Sequence, residues 1–203
     1  MGRAQFDHAS FLGAARDLIA ERGPEAVTID SVTERIGAPK GSFYYRFASR
    51  DALLGEVWLK AVLAYQEGFV AAIEADDGLR AALHTPAWAR RHLEDARLLM
   101  LYSRHDFVQG DWPAALRGGV ADQAERFEAC VRTFARGAFG RAGRVEMRRA
   151  TFVLAEVPLA AVKGHLQRRE RPPPLVDELI TKTYRGIVGS GAGGDAERRR
   201  RAC

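Results

Sequence analysis

The chain has 203 residues, 47% of them hydrophobic and 28% charged, with a formal net charge of +5. That profile excludes an intrinsically disordered protein and leaves enough chain to bury a real core. Its best apolar run, Thr151 to Val162, is broken by Glu156 and Pro158 and falls well short of the roughly 20 residues a membrane span needs, so no transmembrane helix is expected.

Where the charge sits matters more than its size. Arg198 to Arg201 supply most of the excess, whereas from Met1 to Lys60 eight basic residues meet eight acidic ones. Any attraction of the N-terminal part to a polyanion must then come from how its charges are laid out. The opening MGRAQFDHAS lacks the apolar centre of a signal peptide, and the cytoplasm is the expected compartment. Cys130 lies in an amphipathic stretch and Cys203 ends the chain, so no disulfide framework is expected and Cys130 is expected as a small core residue.

In chain order, Asp7 is placed to cap a first helix whose Phe11, Ala15, Leu18 and Ile19 fall on one stripe, and Gly23-Pro24 ends it. Thr28 is the natural N-cap of a second helix, with Ile29, Val32 and Ile36 on one face. Gly37 accepts the positive φ of a sharp corner, and Pro39 pre-sets φ for the first turn of a third helix. In that helix Phe43 and Phe47, four apart, face inward. Lys40, Gly41, Ser42, Tyr44, Tyr45 and Arg46 are left outside. Two adjacent exposed tyrosines, a lysine and open backbone at a glycine suit phosphate oxygens and base edges in a major groove.

The order Thr-Ile, Glu-Arg-Ile-Gly, Lys-Gly-Ser-Phe-Tyr-Tyr-Arg-Phe and Ser-Arg-Asp-Ala-Leu-Leu, over roughly residues 7 to 55, resembles the DNA-binding domain of tetracycline-repressor-like (TetR family) transcriptional regulators. Pro39 stands where many members have a serine cap, and Arg46 where histidine is frequent. The resemblance implies that Lys40, Gly41 and Tyr44 lie near bases and Thr28, Tyr45 and Arg50 near phosphates, with Ser42 and Arg46 beside them. It further implies a helical body with a cavity for a small-molecule effector, and a homodimer joined by the last long helices of each body.

Beyond the corner, Ser49 is placed to cap a fourth helix with Asp51 in its first turn. Leu54, Val57, Trp58, Ala61, Val62, Tyr65, Phe69 and Ile73 keep a helical period to about Ala75, a rod on the order of 35 to 40 Å. After Asp76-Asp77-Gly78, helix is expected over Leu79 to Val108, with a break near Thr85-Pro86. Helices are also expected over Ala114 to Gly140, loosened at Gly118-Gly119, over Arg144 to Arg169 with a bend at Pro158, and over about Leu175 to Val188. The tail from Gly189 has nothing to bury and is expected to be disordered.

The fold class is therefore all-α. A helix-turn-helix head, residues 1–48, is joined by a long helix to a ligand-binding and dimerisation bundle, residues 49–188, followed by a basic tail, residues 189–203. Candidate pocket residues are Trp88, His92, Met100, Tyr102, Phe107, Trp112, Phe127 and Phe134, each of which plain core would also explain. Candidate dimer contacts are Phe152, Val153, Val157, Ala160, Ala161, Leu179, Ile180 and Ile187, for which intramolecular core is the equal alternative. Glu156, mid-helix in an apolar stretch, is expected to pair with an internal arginine, with a cationic ligand as the alternative.

Enzyme signatures are absent: there is no GxSxG, GxxxxGK[ST], HExxH or CxxC. His84 and His92 with Asp95 make a weak metal pattern, so neither a metal nor a cofactor is expected. The reading is a ligand-responsive dimeric repressor that binds a palindromic operator in double-stranded DNA. Its rivals are a helical ligand-binding protein or enzyme with an unused head, and a non-specific DNA binder working through the arginine tail.

Overall fold

The computed structural model of the chain describes residues 6–108 and 112–201, with side chains as far as residue 189. The helices are α1 (His8–Arg22), α2 (Ile29–Ile36), α3 (Lys40–Tyr44), α4 (Arg50–Glu74), α5 (Gly78–Arg91), α6 (Leu93–Leu101), α7 (Arg104–Phe107), α8 (Ala114–Phe139), α9 (Arg144–Thr151), α10 (Val157–Gln167) and α11 (Pro174–Arg201). Among the described residues the protein is all-α with no strand, and no helix is long and apolar enough to cross a membrane. The chain divides into two units, Met1–Leu63 with Glu94–Asp122, and Ala64–Leu93 with Gln123–Cys203.

In the first unit, local chemistry sets the helix ends. Asp7 accepts from the Ser10 amide at 2.8 Å, and the amide of Gly23, at φ 94°, closes α1 on the Ile19 carbonyl. Thr28 and Ser31 form a reciprocal box: each side-chain oxygen accepts the other's amide, at 3.0 and 2.8 Å, fixing the start of α2. Gly37 takes the left-handed conformation, φ 67° and ψ 28°, and turns the chain into Pro39 and α3. Ser49 caps α4 by accepting from the Ala52 amide at 3.1 Å. These short helices are held by a shared core of Phe11, Leu18, Ile19, Val32, Phe43, Phe47, Leu54 and Trp58, joined by Leu98, Phe107 and Trp112. Burying each phenylalanine contributes about 1.5–3 kcal/mol, so Phe43 and Phe47 together outweigh the propensity cost of a helix as short as α3, about 2–3 kcal/mol. Close helix approach is built in at Gly119, where an added Cβ would lie 3.0 Å from Leu59.

The second unit is a bundle of the end of α4, α5, most of α8, and α9 to α11. Asp77 caps α5, which runs unbroken through the buried Pro86 and ends at His92, so the break expected near Thr85-Pro86 falls six residues later. Only the amide that Pro86 lacks is lost there, and burial of the ring offsets it. Ahead of Pro158 the helix widens into a π turn, Phe152–Glu156, in which the Val157 amide reaches the Phe152 carbonyl. A turn widened in this way accommodates the ring and the missing amide inside a helical run. At Gly78 three helices meet: a Cβ there would lie 2.3 Å from Phe134 and 2.4 Å from the Tyr184 hydroxyl. Arg90 fastens the start of α11, donating to the Pro172 carbonyl at 2.7 Å and to both Asp177 oxygens at 2.9 and 2.8 Å. α11 runs to Arg201, past the end near Val188 that the sequence pattern suggests, and the side chains on which the basic-tail expectation for residues 189–203 rests lie outside the described ones beyond Gly189.

Candidate nucleic-acid interface

Phe43 and Phe47 are sequestered in the core, at 0% and 2% exposure, which turns the rest of α3 outward. Tyr44 and the adjoining Tyr45 are 62% and 89% exposed. Gly41 is open, with no heavy atom within 4 Å of where a Cβ would stand, so the backbone there is free to approach a partner closely. Thr28, Ile29, Asp30, Lys40, Tyr44 and Arg50 line one open cleft of about 400 Å³. The cleft takes in the N-cap and first two residues of α2 together with the lysine and a tyrosine.

The cations around this cleft differ in how free they are. Lys40 is exposed, with its Nζ 2.5 Å from Asp30 Oδ1. The hydrogen bond to Asp30, reinforced by that carboxylate's charge, raises its pKa above the ordinary lysine value, so it stays protonated. Arg46 folds back: Nη1 donates to the Ser42 carbonyl at 2.9 Å, and the guanidinium lies 5.6 Å from the centre of the Phe11 ring and 5.9 Å from that of Tyr45. Ser42 donates its hydroxyl to the Pro39 carbonyl at 2.6 Å, and no side chain caps the first amides of α3. Arg50 donates to the carbonyls of Val27 and Pro24 at 2.5 and 2.8 Å. Thr28 is exposed, with its hydroxyl oxygen engaged by the Ser31 amide. Ile29 and Asp30 are the members of the cleft that sequence reasoning did not place there, and Asp30 is the charged one. Its partner Lys40 lies across the Gly37 corner, and no local spacing signals that pair.

The pocket candidates divide between the units. Met100, Tyr102, Phe107 and Trp112 belong to the first, where Phe107 and Trp112 are core, Tyr102 packs against that core, and Trp112 meets Trp58 edge-on at 5.3 Å. Trp88, His92, Phe127 and Phe134 belong to the second. There Trp88 packs edge-on to Tyr65 at 5.3 Å, Phe127 stacks on Phe69 at 5.2 Å, and the exposed His92 lies against Trp88. Beside them Tyr65 bonds to the Thr85 hydroxyl at 2.8 Å, and His84 Nε2 lies 2.7 Å from the Tyr65 carbonyl oxygen. Burial lowers the His84 pKa below the ordinary imidazole value, only partly opposed by that carbonyl. Among the described residues no group of three or more metal-ligating side chains comes together.

Of the dimer candidates, Val153 and Ile180 are buried inside the second unit, at 0% and 1% exposure. Val157, Ala161 and Ile187 are half-buried, and Ala160 is exposed. Phe152 and Leu179 stand out at 39% and 52%, with Leu159 at 39% and Leu175 at 57%. Phe152 and Ile187 share a shallow cleft with Arg148 and Arg149. Glu156 pairs with Arg148, an exposed arginine and not the internal one the sequence led us to expect.

Residues 11–57 match the model of a family described as bacterial regulatory proteins, tetR family. A solved structure of a candidate tetR family transcription regulator from Shewanella sp. PV-4 superimposes with a TM-score of 0.61, covering 90% of this chain and 96% of its own at 17% identity, a likeness of fold. No curated protein matches the chain.

Proposed function

We propose, from the premise that residues 11–57 form the DNA-binding domain of the tetR family of bacterial regulatory proteins, that the protein is a dimeric, ligand-responsive repressor acting on double-stranded DNA in the cytoplasm. The observation that carries the DNA-binding part is the pair of outward phenol rings, Tyr44 and Tyr45, beside Lys40 on a short helix anchored by Phe43. Nothing in the first unit's own packing needs those rings outside, whereas a major groove offers them phosphates and base edges.

Dimerisation is supported by the apolar side chains of Phe152, Leu159, Leu175 and Leu179, which the second unit leaves uncovered. A twofold dimer reads two half-sites about 34–36 Å apart, so a palindromic operator follows from the symmetry. The effector reading is supported by the aromatic and polar side chains gathered in the second unit, Trp88, Phe127, Tyr65 and His84, which suit a largely apolar ligand with one or two hydrogen-bonding groups. To switch the protein from mostly bound to mostly released, such a ligand must prefer the released conformer by roughly 10⁴-fold, about 5.5 kcal/mol.

The deciding experiment selects bound duplexes from random DNA with the full chain and then screens small molecules for release of the selected operator. Enrichment of a palindrome supports the reading. A pool that stays random after several rounds would sink it.

A further inference from the structure

The face around α3 carries an acid where a polyanion has to approach. Asp30 is the one carboxylate among the described residues lining the cleft with Thr28, Lys40, Tyr44 and Arg50. Its Oδ1 is 2.5 Å from Lys40 Nζ, with the two side chains 54% and 65% exposed. The cleft's other cation, Arg50, is turned onto the carbonyls of Val27 and Pro24, with Asp51 3.4 Å from its Nη1. A phosphate entering here meets a neutralised pair and an occupied guanidinium, and indiscriminate attraction to DNA is reduced.

An exposed ion pair of this kind is weakly held and changes partners readily. When Lys40 moves onto an acceptor of the DNA, the Asp30 carboxylate is left facing the groove. A carboxylate only accepts hydrogen bonds. In the major groove the donors are the amino groups of cytosine N4 and adenine N6, while guanine and thymine present acceptors that repel it. We propose that Asp30 is a specificity-determining residue, which requires cytosine or adenine at one position of each half-site and keeps Lys40 paired on DNA that lacks it. This rests on the DNA-binding reading above.

The test selects operators from random duplexes with the full-length wild type, Asp30→Ala and Asp30→Asn, then compares each protein's affinity for its selected site and for random duplex at one salt concentration. The wild type is expected to enrich cytosine or adenine at one symmetry-related pair of positions. Asp30→Ala should lose the preference there alone and bind random duplex about tenfold more tightly. Asp30→Asn, which conserves the shape of the α2 start but adds two N–H donors, should tighten random binding and relax the exclusion of guanine and thymine at that position. Identical selected sequences and an unchanged ratio of specific to random affinity in Asp30→Ala overturn the proposal. A wild type that enriches nothing overturns the regulator reading itself, and so is told apart from failure of this inference alone.

Discussion

Arg50, the first residue of α4, donates from Nε to the Val27 carbonyl at 2.5 Å and from Nη2 to the Pro24 carbonyl at 2.8 Å. It thereby ties the fourth helix to the loop that presents the Thr28 cap. Hydrogen bonds to a charged group contribute about 1.5–3 kcal/mol, and with the side chain 35% exposed the lower end applies. Arg50→Ala should therefore lower unfolding free energy in urea by about 1–2 kcal/mol, and Arg50→Lys should recover only part, because one ammonium does not span both carbonyls. Unchanged stability with a weaker salt dependence of DNA binding would instead make Arg50 a phosphate contact.

The corner glycine isolates a backbone effect. At Gly37 an added Cβ would meet nothing within 4 Å, so the cost of a side chain comes from its φ of 67° alone. Gly37→Ala should destabilise by about 1–2 kcal/mol, and Gly37→Asn by less, since asparagine tolerates that region better. Thermal melts of the two variants measure the difference, and equal melting temperatures would show the corner to be unstrained.

Tyr45 at 89% exposure has little folding energy to lose. Tyr45→Ala should keep wild-type stability within about 0.5 kcal/mol while weakening operator binding in a mobility-shift titration. Lys40→Ala should weaken binding and reduce the slope of log affinity against log salt by about 1 if the lysine reaches a phosphate. Full affinity in both variants contradicts the placement of α3 in the groove.

Burial holds the His84 pKa below its ordinary value of 6.5, with Arg91, Arg80 and His92 adding unfavourable charge. Above 6.5 the ring is neutral in folded and unfolded chains alike, and its contacts are fully available. As pH falls below 6.5 the unfolded chain takes up the proton first, so stability is lost down to the folded-state pKa. Wild type should become less stable between pH 7.5 and 5.5, and His84→Gln should flatten that slope. A slope unchanged by the substitution would assign it to other groups.

Leu179 is 52% exposed on α11, and a charge there should not disturb the unit that carries it. Leu179→Glu should convert a dimer to a monomer in sedimentation equilibrium with little change in helical content, and should lower operator affinity through loss of the second half-site. A variant that remains dimeric moves the interface elsewhere.

The head was legible because its signals are local. Thr28 caps, Gly37 turns left-handed, and Phe43 and Phe47 bury because they lie four apart, which leaves Tyr44 and Tyr45 outside. The destinations of Arg46 and Arg50 were not legible, because Arg50 ends on carbonyls 23 and 26 residues back and Arg46 lies over Phe11, a ring from another helix. Nor does the spacing of Met100, Tyr102, Phe107 and Trp112 show that they sit in the first unit. Aromatic residues announce burial but not which neighbours bury them. Pro158 announced a disturbance at the right place, and the π turn ahead of it is one of several ways a helix can accommodate a missing amide.

At Gly78 the bare α-carbon is wedged between the ring of Phe134 and the phenol of Tyr184. Even one methyl group there has nowhere to go unless a neighbour shrinks. Substitutions at these three positions should therefore be correlated: relatives that enlarge residue 78 should carry something smaller at 134 or 184, and chains with a bulky residue at all three should be missing from the lineage.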